Sequence, residues 1–462
     1  MNPLSLNKSI IQQLKRITGK VLTSETDRIS YAYDATNLQY FPDAIVFPEN
    51  LDQVSKILSL AQEAEFPVVP RGAGSGLTGG SLAVNGGLLV VMTRMNRILS
   101  IDMNNLVADV EPGVVTGIFH KRVQGLGLYY PPDPASSAYS TLGGNVAECA
   151  GGPSAVKYGV TRDYVLGLTF VIAGGDIIKT GVRTAKGVVG YDLTRLLTGS
   201  EGTLGIITQM TLRLLPKPKG VQTIVVFYDS MHKAAESVSE MIRQGLIPKT
   251  IEYLDHAAIA CLPPNFPGGI PTEAKAMLIV EMDGAVSQVE TDMKELIEFV
   301  KENNAIFVTK ARDQIQTQSI WQARKAISPA LYRYGPDKIN EDIVVPRSLI
   351  PDFVDKVDEL RQATGLTMVT FGHAGDGNIH FTVMLDKNDP VAKKKADTVI
   401  ESVFDFTLEL GGTLSGEHGI GITKSSYVHK ELDSAEQYLM KQIKKAFDPK
   451  GILNPGKIFS EP

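Results

Sequence analysis

A run of small residues after a short apolar stretch constrains this chain more than any other feature of its sequence. Residues 71–80 read Arg-Gly-Ala-Gly-Ser-Gly-Leu-Thr-Gly-Gly and follow Pro67–Pro70, which predicts a buried strand. Gly74, Gly76 and Gly79 match the G-x-G-x-x-G spacing, but a dinucleotide-binding loop must open a helix directly. Asn85-Gly86-Gly87 follows instead and cannot continue a helix, and no Gly-Lys-Ser/Thr completes a P-loop. The sequence therefore indicates a glycine-rich loop of a different kind.

This loop can bind an anion through its backbone. Small residues let successive N–H groups approach a ligand closely, and such a nest of N–H groups binds anions. We expect a diphosphate, and a tight turn without a ligand is the alternative. Two more segments rich in small residues, 131–152 and 198–208, lie in the same part of the chain. Together, the three segments indicate a ligand larger than a mononucleotide.

Charge and cysteine content exclude several classes of protein. There are 46 basic and 51 acidic residues, a net charge of -5, which argues against a nucleic-acid-binding protein. The two cysteines, Cys149 and Cys261, are too few for a disulfide framework, a four-cysteine zinc site or an iron–sulfur cluster carried by this chain alone. No stretch is long and apolar enough to predict a transmembrane segment or a signal peptide. We expect a soluble, cytoplasmic protein.

Changes in sequence pattern suggest four segments. Residues 1–40 predict an N-terminal helical segment, and 41–217 alternate short strands with glycine-rich turns. A linker at Lys217–Gly220 precedes 221–430, where strand, helix, strand and helix alternate at a spacing typical of an α+β domain. Residues 431–462 end the chain with a helix and a Pro/Gly turn. The predicted fold class is α+β.

Two histidines at the ends of a tight turn suggest a metal site. His373 and His380 flank Ala-Gly-Asp-Gly-Asn-Ile between two predicted strands, and a hairpin would bring them to one side. Glu417 and His418 lie between glycines further along the chain. Two His and one Glu are typical of a catalytic Zn, Mn or Fe site. Hydrogen-bonded structural histidines are the alternative.

A predicted helix carries a candidate anion-binding arginine. Trp321, Arg324 and Ser328 recur at i, i+3 and i+7 and so share one face. An arginine there can bind a carboxylate through two parallel hydrogen bonds. A salt bridge is the alternative for Arg324, and Lys338 is a weaker second candidate.

The order of these motifs resembles a known family. Residues 71–80, Pro132-Asp133-Pro134, Gly143-Gly144-Asn145, Lys157-Tyr158-Gly159, 200–207 and 452–457 resemble the FAD-binding domain of the vanillyl-alcohol oxidase/p-cresol methylhydroxylase (PCMH) flavoproteins. The histidine and glutamate motifs resemble the glycolate oxidase/D-lactate dehydrogenase/D-2-hydroxyglutarate dehydrogenase branch. The resemblance implies a PCMH-type FAD-binding domain of two subdomains over 41–217. It also implies a ferredoxin-like α+β substrate (cap) domain with the metal site over 221–430, and a return of 431–462 to the FAD domain.

The resemblance also implies roles for individual residues. His373, His380 and Glu417 would bind a divalent metal, Zn or alternatively Mn or Fe, with His418 as catalytic base. Arg324, with Lys338 as second candidate, would bind the substrate carboxylate. The loop at 71–80 has neither the His nor the Cys that carries a covalent flavin, so we expect non-covalent FAD. The implied FAD contacts are Arg71, Gly72, Ala73, Gly74, Ser75, Gly76, Gly79, Pro132, Asp133, Thr141, Gly143, Gly144, Asn145, Gly151, Gly152, Tyr158, Glu201, Gly202, Ile207 and Asn454.

The implied activity is oxidation of a D-2-hydroxy acid, D-lactate or glycolate, by an FAD-dependent dehydrogenase. The electrons would pass to an external acceptor: an iron–sulfur subunit, an electron-transferring flavoprotein or a quinone. A homodimer and a subunit of a larger complex are both open. The alternatives are an FAD-dependent oxidase of another alcohol and a non-catalytic flavin subunit. Phe381 and Thr382 stand where relatives carry Pro or Asn, which leaves the substrate open.

Overall fold

The structure, a computed structural model, describes residues 6–459. Contacts within the chain define two compact units. The first unit comprises the chain up to Gly151, Val160–Lys217 and the chain from Glu417 onward. The second unit comprises Gly152–Gly159 and Pro218–Gly416.

Helices and strands occur along the whole described chain. The helices are α1 (Lys8–Thr18), α2 (Glu25–Ile29), α3 (Leu51–Ala64), α4 (Thr116–Gln124), α5 (Leu142–Glu148), α6 (Ala155–Tyr158), α7 (Leu193–Leu197), α8 (Met231–Arg243), α9 (His256–Ile259), α10 (Val286–Glu302), α11 (Gln314–Lys325), α12 (Ile327–Ala330), α13 (Ile350–Thr364), α14 (Pro390–Glu409), α15 (Val428–Glu431) and α16 (Ser434–Phe447). The strands are β1 (Val21–Leu22), β2 (Ala44–Val46), β3 (Val68–Arg71), β4 (Leu88–Val91), β5 (Ile98–Asp102), β6 (Val107–Val110), β7 (Leu128–Tyr129), β8 (Val165–Val171), β9 (Ile177–Gly181), β10 (Ile206–Arg213), β11 (Leu215–Pro216), β12 (Gly220–Tyr228), β13 (Thr250–Asp255), β14 (Ala276–Gly284), β15 (Phe307–Lys310), β16 (Asp337–Val344), β17 (Thr367–His373) and β18 (Asn378–Leu385).

The first unit is built on small sheets. Their strand orders are β1-β2-β4-β3, β5-β6-β10-β8-β9 and β11-β7. Strands β2, β4 and β3 run parallel, and the residues of β2 and β4 are all buried, as expected of strands covered on both faces. Helix α3 packs on this sheet, and the predicted cap is confirmed because the Asn50 side chain accepts from Gln53 N at 3.0 Å.

The C-terminal segment joins the first unit beside β3. Val68 N donates to Ile452 O at 2.8 Å, and Asn454 N donates to Val68 O at 2.8 Å. Leu453, between them, is fully buried. The last part of the chain therefore supports the strand that leads into the glycine-rich loop.

The second unit is one antiparallel sheet with helices on both faces. Its strand order is β15-β12-β14-β13-β17-β18-β16. Phe381 packs edge-on against Phe353 of α13 on one face, at a ring separation of 6.5 Å. The neighbouring residue His380 faces the other side, which α9, α11 and α12 cover with a shared apolar core. This covered face carries the polar residues of interest.

The unit boundaries differ from the predicted segments in three places. Residues 417–430 were predicted in the second domain but lie in the first unit, because backbone N–H groups there bind a carboxylate of that unit. Gly152–Gly159 lie in the second unit, where Tyr158 OH donates to Asp283 Oδ2 at 2.8 Å. No unit boundary falls at residue 40, since Leu14 of α1, in the predicted N-terminal helical segment, is buried in the first unit's core. Residues 1–5 of that segment lie outside the described chain.

No helix within residues 6–459 is both long and apolar enough to cross a bilayer.

Candidate functional site

The glycine-rich loop of the first unit has no room for side chains. Strand β3 leads into it at Arg71, and Gly74 has a φ of +70°, a conformation that favours glycine. A Cβ on Gly72 would collide with Thr141 Oγ1, and a Cβ on Gly74 would collide with the Arg71 guanidinium. The backbone of this loop is therefore the surface it can offer to a ligand.

Arg71 supports the loop from within the protein. Its side chain is buried, and its Nη2 donates to Tyr33 O at 2.6 Å. The guanidinium also lies 5.9 Å from the Tyr31 ring centroid. These contacts hold Arg71 under Gly74, so its clearest role in this structure is to shape the loop.

Helix α5 lies next to the loop and carries several predicted FAD contacts. Thr141 precedes it, and its Oγ1 accepts from Gly144 N at 3.4 Å. A Cβ on Gly143 would collide with Pro112, so the start of this helix also needs glycine. The buried Asn145 side chain donates from Nδ2 to Thr116 Oγ1 at 2.8 Å, which fixes the helix to α4.

Asn454 and Glu201 connect the loop to other parts of the first unit. Asn454 Nδ2 donates to Gly80 O at 2.8 Å and to Glu201 O at 2.6 Å. The buried Glu201 carboxylate accepts from Ile420 N at 2.7 Å and from Gly421 N at 2.8 Å. Residues predicted to bind FAD therefore also hold the segment that follows His418.

The predicted base His418 and the predicted ligand Glu417 are carried by the first unit. Thr78 Oγ1 of the glycine-rich loop donates to His418 O at 3.1 Å. The His418 Nε2 atom lies 3.9 Å from Glu417 Oε1. A Cβ on Gly151 would come within 2.8 Å of Glu417 Oε2, so this predicted FAD contact leaves space for the Glu417 side chain.

Glu148 is a buried carboxylate that sequence analysis missed. Within the described chain its Oε2 is buried and has no hydrogen-bond partner. Burial raises the pKa of Glu148 well above its ordinary value, and the neighbouring Glu201 and Asp34 carboxylates raise the pKa further. Folding therefore favours protonation of the Glu148 carboxyl relative to the unfolded chain.

The raised pKa of Glu148 predicts that the free energy of unfolding depends on pH. Because the pKa of Glu148 is raised by folding, its contribution is fully present below the unfolded pKa and is lost as pH rises through the folded pKa. We expect Glu148→Gln to stabilise the flavin-free protein by about 1–3 kcal/mol at pH 8 and to have little effect near pH 4. Urea unfolding at several pH values measures this.

Glu111→Gln is the matched control. Glu111 is also a buried glutamate of the first unit, but it accepts from Arg97 N at 2.7 Å and from Arg97 Nη2 at 2.7 Å. Its substitution should destabilise the protein. Equal destabilisation by both variants at pH 8 would contradict the assignment of Glu148.

In the second unit, the turn between β17 and β18 brings the two predicted histidine ligands together. His373 and His380 lie diagonally on one face of the hairpin, with ring centroids 5.2 Å apart and planes at 85°. Both are buried. The hairpin predicted from the sequence thus places His373 and His380 side by side.

A carboxylate flanks each histidine from an adjacent strand. Glu252 on β13 is paired with His373 in register, and its Oε1 is hydrogen-bonded to His373 Nδ1. Asp342 on β16 is paired with His380, and its Oδ1 lies 3.7 Å from His380 Nδ1. Sequence analysis missed both acids because it did not predict the strands that carry them.

Asp342 is held by two donors from the second unit. Asn378 Nδ2 donates to its Oδ1 at 2.6 Å, and Gly416 N donates to its Oδ2 at 2.9 Å. Glu417 is the next residue in the chain after Gly416. The contacts of Asp342 therefore fix the backbone immediately before the predicted ligand Glu417.

The single helix predicted for Trp321, Arg324 and Ser328 is broken after Lys325, so Trp321 and Arg324 lie in α11 and Ser328 lies in α12. Both helices pack on the histidine side of the sheet. Arg324 Nε donates to Glu252 Oε2 at 2.7 Å, and Arg324 Nη2 lies 2.6 Å from the same oxygen in an ion pair. Lys338 Nζ donates to Ser328 Oγ at 2.8 Å, and burial lowers the pKa of Lys338. The salt bridge considered for Arg324 is therefore present, inside the second unit.

The Glu252 carboxylate is buried in the second unit, and its contacts with His373 and Arg324 stabilise its charged form. Burial alone would raise the pKa of Glu252, but His373 and Arg324 outweigh burial and lower it to about 2. The Arg324 guanidinium also lies 4.7 Å from the Phe371 ring centroid. Glu252 and Arg324 thus form a buried ion pair beside His373.

Phe381 and Thr382, the two residues that follow His380, face opposite sides of the sheet. Phe381 belongs to the apolar contact with α13. Thr382 lies on the histidine face, and its Oγ1 donates to Asn340 Oδ1 at 2.9 Å. This bond leaves the Asn340 amide N–H₂ as a donor on that face.

The predicted residues are thus divided between the units. Those in the first unit are Arg71, Gly72, Ala73, Gly74, Ser75, Gly76, Gly79, Pro132, Asp133, Thr141, Gly143, Gly144, Asn145, Gly151, Glu201, Gly202, Ile207, Asn454, Glu417 and His418. Those in the second unit are Gly152, Tyr158, Arg324, Lys338, His373 and His380.

Both implied groups fit the residues present. The loop of the first unit is a backbone cradle that a Cβ would fill, as a diphosphate site requires. In the second unit, a buried histidine pair with an acid on each outer side has the donor chemistry of a metal site and its supporting groups.

Comparisons with known proteins show the family of this chain. Residues 42–181 match the family model described as "FAD binding domain", and residues 217–458 match "FAD linked oxidases, C-terminal domain". The chain is 42% identical over 459 residues to "Glycolate oxidase subunit GlcD" of Bacillus subtilis (strain 168), covering 99% of this chain and 98% of that protein. It is 34% identical over 463 residues to "D-lactate dehydrogenase" of Anaerostipes hadrus, covering 97% of each.

A solved structure shares the fold. p-Cresol methylhydroxylase with substrate bound superposes with a TM-score of 0.82 at 19% identity, over 99% of this chain and 98% of that one. This confirms the predicted PCMH-type α+β fold. The protein thus belongs to the FAD-linked oxidase family and is an FAD-linked oxidoreductase of the branch that includes glycolate oxidase subunit GlcD and D-lactate dehydrogenase.

Proposed function

We propose that this protein is an FAD-dependent dehydrogenase that oxidises a D-2-hydroxy acid, D-lactate or glycolate, to the 2-oxo acid. The observation that carries the proposal is a row of four polar side chains on adjacent strands of the second unit's sheet. In this row the buried pair His373 and His380 lies between Glu252 and Asp342. The names of the two relatives, one a glycolate oxidase subunit and one a D-lactate dehydrogenase, support the substrate class.

The first unit would hold FAD non-covalently through the backbone of residues 72–80 and the start of α5. FAD, when bound, supplies the acceptor for the hydride that leaves C2 of the hydroxy acid. The protein's part is to orient the cofactor and exclude water. Asn454 and Glu201 contribute by fixing the loop to the segment that follows His418.

His373, His380 and Glu417 would hold a divalent metal, Zn or alternatively Mn or Fe. Such an ion supplies a positive charge that lowers the pKa of a bound hydroxyl and holds the carboxylate. Asp342 supports this assignment because its Oδ1 lies 3.7 Å from His380 Nδ1 and its Oδ2 accepts the backbone N–H of Gly416, directly before Glu417.

His418 would take the hydroxyl proton as general base. The His418 carbonyl accepts a hydrogen bond from Thr78, and the Glu201 carboxylate accepts from the N–H groups of Ile420 and Gly421. These bonds fix the backbone that carries the proposed base.

Arg324, Lys338 and Asn340 are the proposed donors to the substrate. Since Nε and Nη2 of Arg324 bind Glu252, its Nη1 side is the edge offered to a carboxylate. Lys338 and the Asn340 amide lie on strand β16 of the same sheet face.

The electrons would leave to an external acceptor, either a protein (an iron–sulfur subunit or an electron-transferring flavoprotein) or a quinone. Two cysteines cannot bind an iron–sulfur cluster, so this chain does not hold one alone. The word "subunit" in the name of the Bacillus subtilis relative supports a protein partner. Both cysteines are free thiols, in keeping with the cytoplasm as the proposed location.

Anaerobic mixing with single substrates tests the proposal. D-lactate, L-lactate, glycolate and D-2-hydroxyglutarate are each added to the FAD-loaded protein, and loss of the visible flavin absorbance is followed. We expect D-lactate or glycolate to reduce the flavin at a rate that falls at least about 100-fold after chelation and returns with zinc or manganese.

Two results would contradict this function. Flavin reduction that persists after complete metal removal would overturn the metal role of His373, His380 and Glu417. A flavin that stays oxidised with every acid offered would favour an oxidase of another alcohol or a non-catalytic flavin subunit.

A further inference from the structure

Glu252 contacts two residues to which the proposed function gives separate roles. Its side chain is 1% exposed, on β13 in the middle of the sheet of the second unit. One carboxylate oxygen is hydrogen-bonded to His373 Nδ1, and the other accepts from Arg324 Nε and forms an ion pair with Arg324 Nη2. Glu252 therefore joins a proposed metal ligand to the proposed carboxylate-binding arginine.

The two contacts have separate physical effects. An isolated buried carboxylate is strongly unfavourable, and Arg324 supplies the compensating charge. With its charge compensated, Glu252 Oε1 can act as the acceptor for an N–H of His373. A histidine that donates from Nδ1 has its lone pair on Nε2, which is the form that binds metals, and such acids also fix the orientation of the ring.

We infer that Glu252 is a positioning residue that holds His373 ready to bind metal and at the same time turns the Nη1 edge of Arg324 toward the substrate. The inference rests on the proposed function, because it assumes that His373 is a ligand. It predicts that one substitution weakens metal binding and carboxylate binding together.

Glu281 provides a matched control. It is a buried glutamate on the neighbouring strand β14, and its partners among the described residues are Trp321 Nε1 at 3.0 Å, Lys249 Nζ at 2.7 Å and Thr223 Oγ1 at 2.8 Å. Trp321 and Arg324 belong to the same helix, α11. Glu281 thus anchors the same helix to the same sheet face without bonding a histidine.

Metal affinity gives a readout independent of turnover. FAD-loaded wild type, Glu252→Gln and Glu281→Gln are stripped of metal and titrated with Zn²⁺ against a chromophoric chelator. We expect Kd for Zn²⁺ to rise roughly 10–100-fold in Glu252→Gln and to stay near the wild-type value in Glu281→Gln. In the zinc-loaded proteins, perturbation of the flavin spectrum by pyruvate should require a higher pyruvate concentration in Glu252→Gln alone.

Several outcomes would overturn the inference. Unchanged zinc affinity in Glu252→Gln would remove the positioning role and leave the proposed function intact. Equal weakening in Glu252→Gln and Glu281→Gln would show that anchoring of α11, and not the bond to His373, is what matters. If wild type and His380→Ala bound zinc with equal affinity, the proposed metal site and this inference would both be rejected.

Glu252→Asp keeps the test valid if Glu252→Gln does not fold. Aspartate retains the charge that pairs with Arg324, but its side chain is one methylene shorter and cannot reach both partners. We expect a folded protein with weakened zinc binding, and wild-type zinc affinity in this variant would equally reject the inference.

Discussion

Replacing His418 with asparagine is expected to slow flavin reduction by the hydroxy acid roughly 10²–10⁴-fold, the usual contribution of a general base. FAD content should not change, because the known anchors of this segment are backbone bonds. Thr78 binds the carbonyl of His418, and Glu201 binds the N–H groups of Ile420 and Gly421. The measurement is anaerobic stopped-flow reduction of the FAD-loaded variant by the acid that reduces wild type.

His429→Asn is the control for this experiment. His429 lies in α15 of the same unit and its side chain is exposed, so we expect wild-type rates. Slow reduction in His418→Asn together with normal flavin content would support the base. A rate in His418→Asn close to that of wild type would show that another group removes the proton.

Local sequence patterns predicted much of the fold. Helix α3 begins after Asn50 as its cap signal indicates, and the β17–β18 hairpin forms around the Gly/Asp/Asn turn. These elements have strong signals because one face is apolar at helical spacing or because turn residues separate two β-rich runs. The histidine pair could be predicted for the same reason, since both members belong to one hairpin.

The acids beside the histidines could not be predicted in this way. Strand β13, Thr-Ile-Glu-Tyr-Leu-Asp, is buried at all six positions, yet its two acids break the apolar run that a buried strand normally shows. Strand β16 carries Asn340, Glu341 and Asp342 and has the same difficulty. Partners distant in sequence stabilise these acids. Arg324 supplies an opposite charge to Glu252, and Asn378 donates a hydrogen bond to Asp342.

The placement of Glu417 and His418 also depended on distant contacts. Glu417 and His418 follow the predicted second domain without a linker, so the sequence suggested one domain over 221–430. The chain instead enters the first unit at Glu417, where Glu201 and Thr78 bind it across more than 200 residues of sequence.

Strand β13 did carry a local signal. Ile251 and Tyr253 are strand-favouring residues at alternate positions, and this alternation could have revealed the strand.

Substituting Gly74 with alanine is expected to yield a folded protein that purifies with little or no FAD. Two costs add at this position. The φ of +70° is unfavourable for alanine by about 1 kcal/mol, and the added Cβ would collide with the Arg71 guanidinium, which is buried and bonded to Tyr33 O. Relief of the collision must move the loop backbone, which is the surface proposed to hold the diphosphate.

Gly127→Ala separates these two costs and decides the interpretation. Gly127 is also in the first unit and has a φ of +73°, but no atom lies within 4 Å of a Cβ built there. The Gly127→Ala variant should show the backbone cost as a slightly lower melting temperature and retain the wild-type FAD content.

FAD content is measured from the ratio of flavin to protein absorbance, and FAD affinity by titrating FAD into flavin-free protein. Because a backbone nest binds only when its N–H groups converge, we expect FAD affinity to fall at least about tenfold in Gly74→Ala. Equal FAD content in the two alanine variants would mean that the loop at 72–80 does not hold the cofactor and that its glycines serve only the close packing of Arg71.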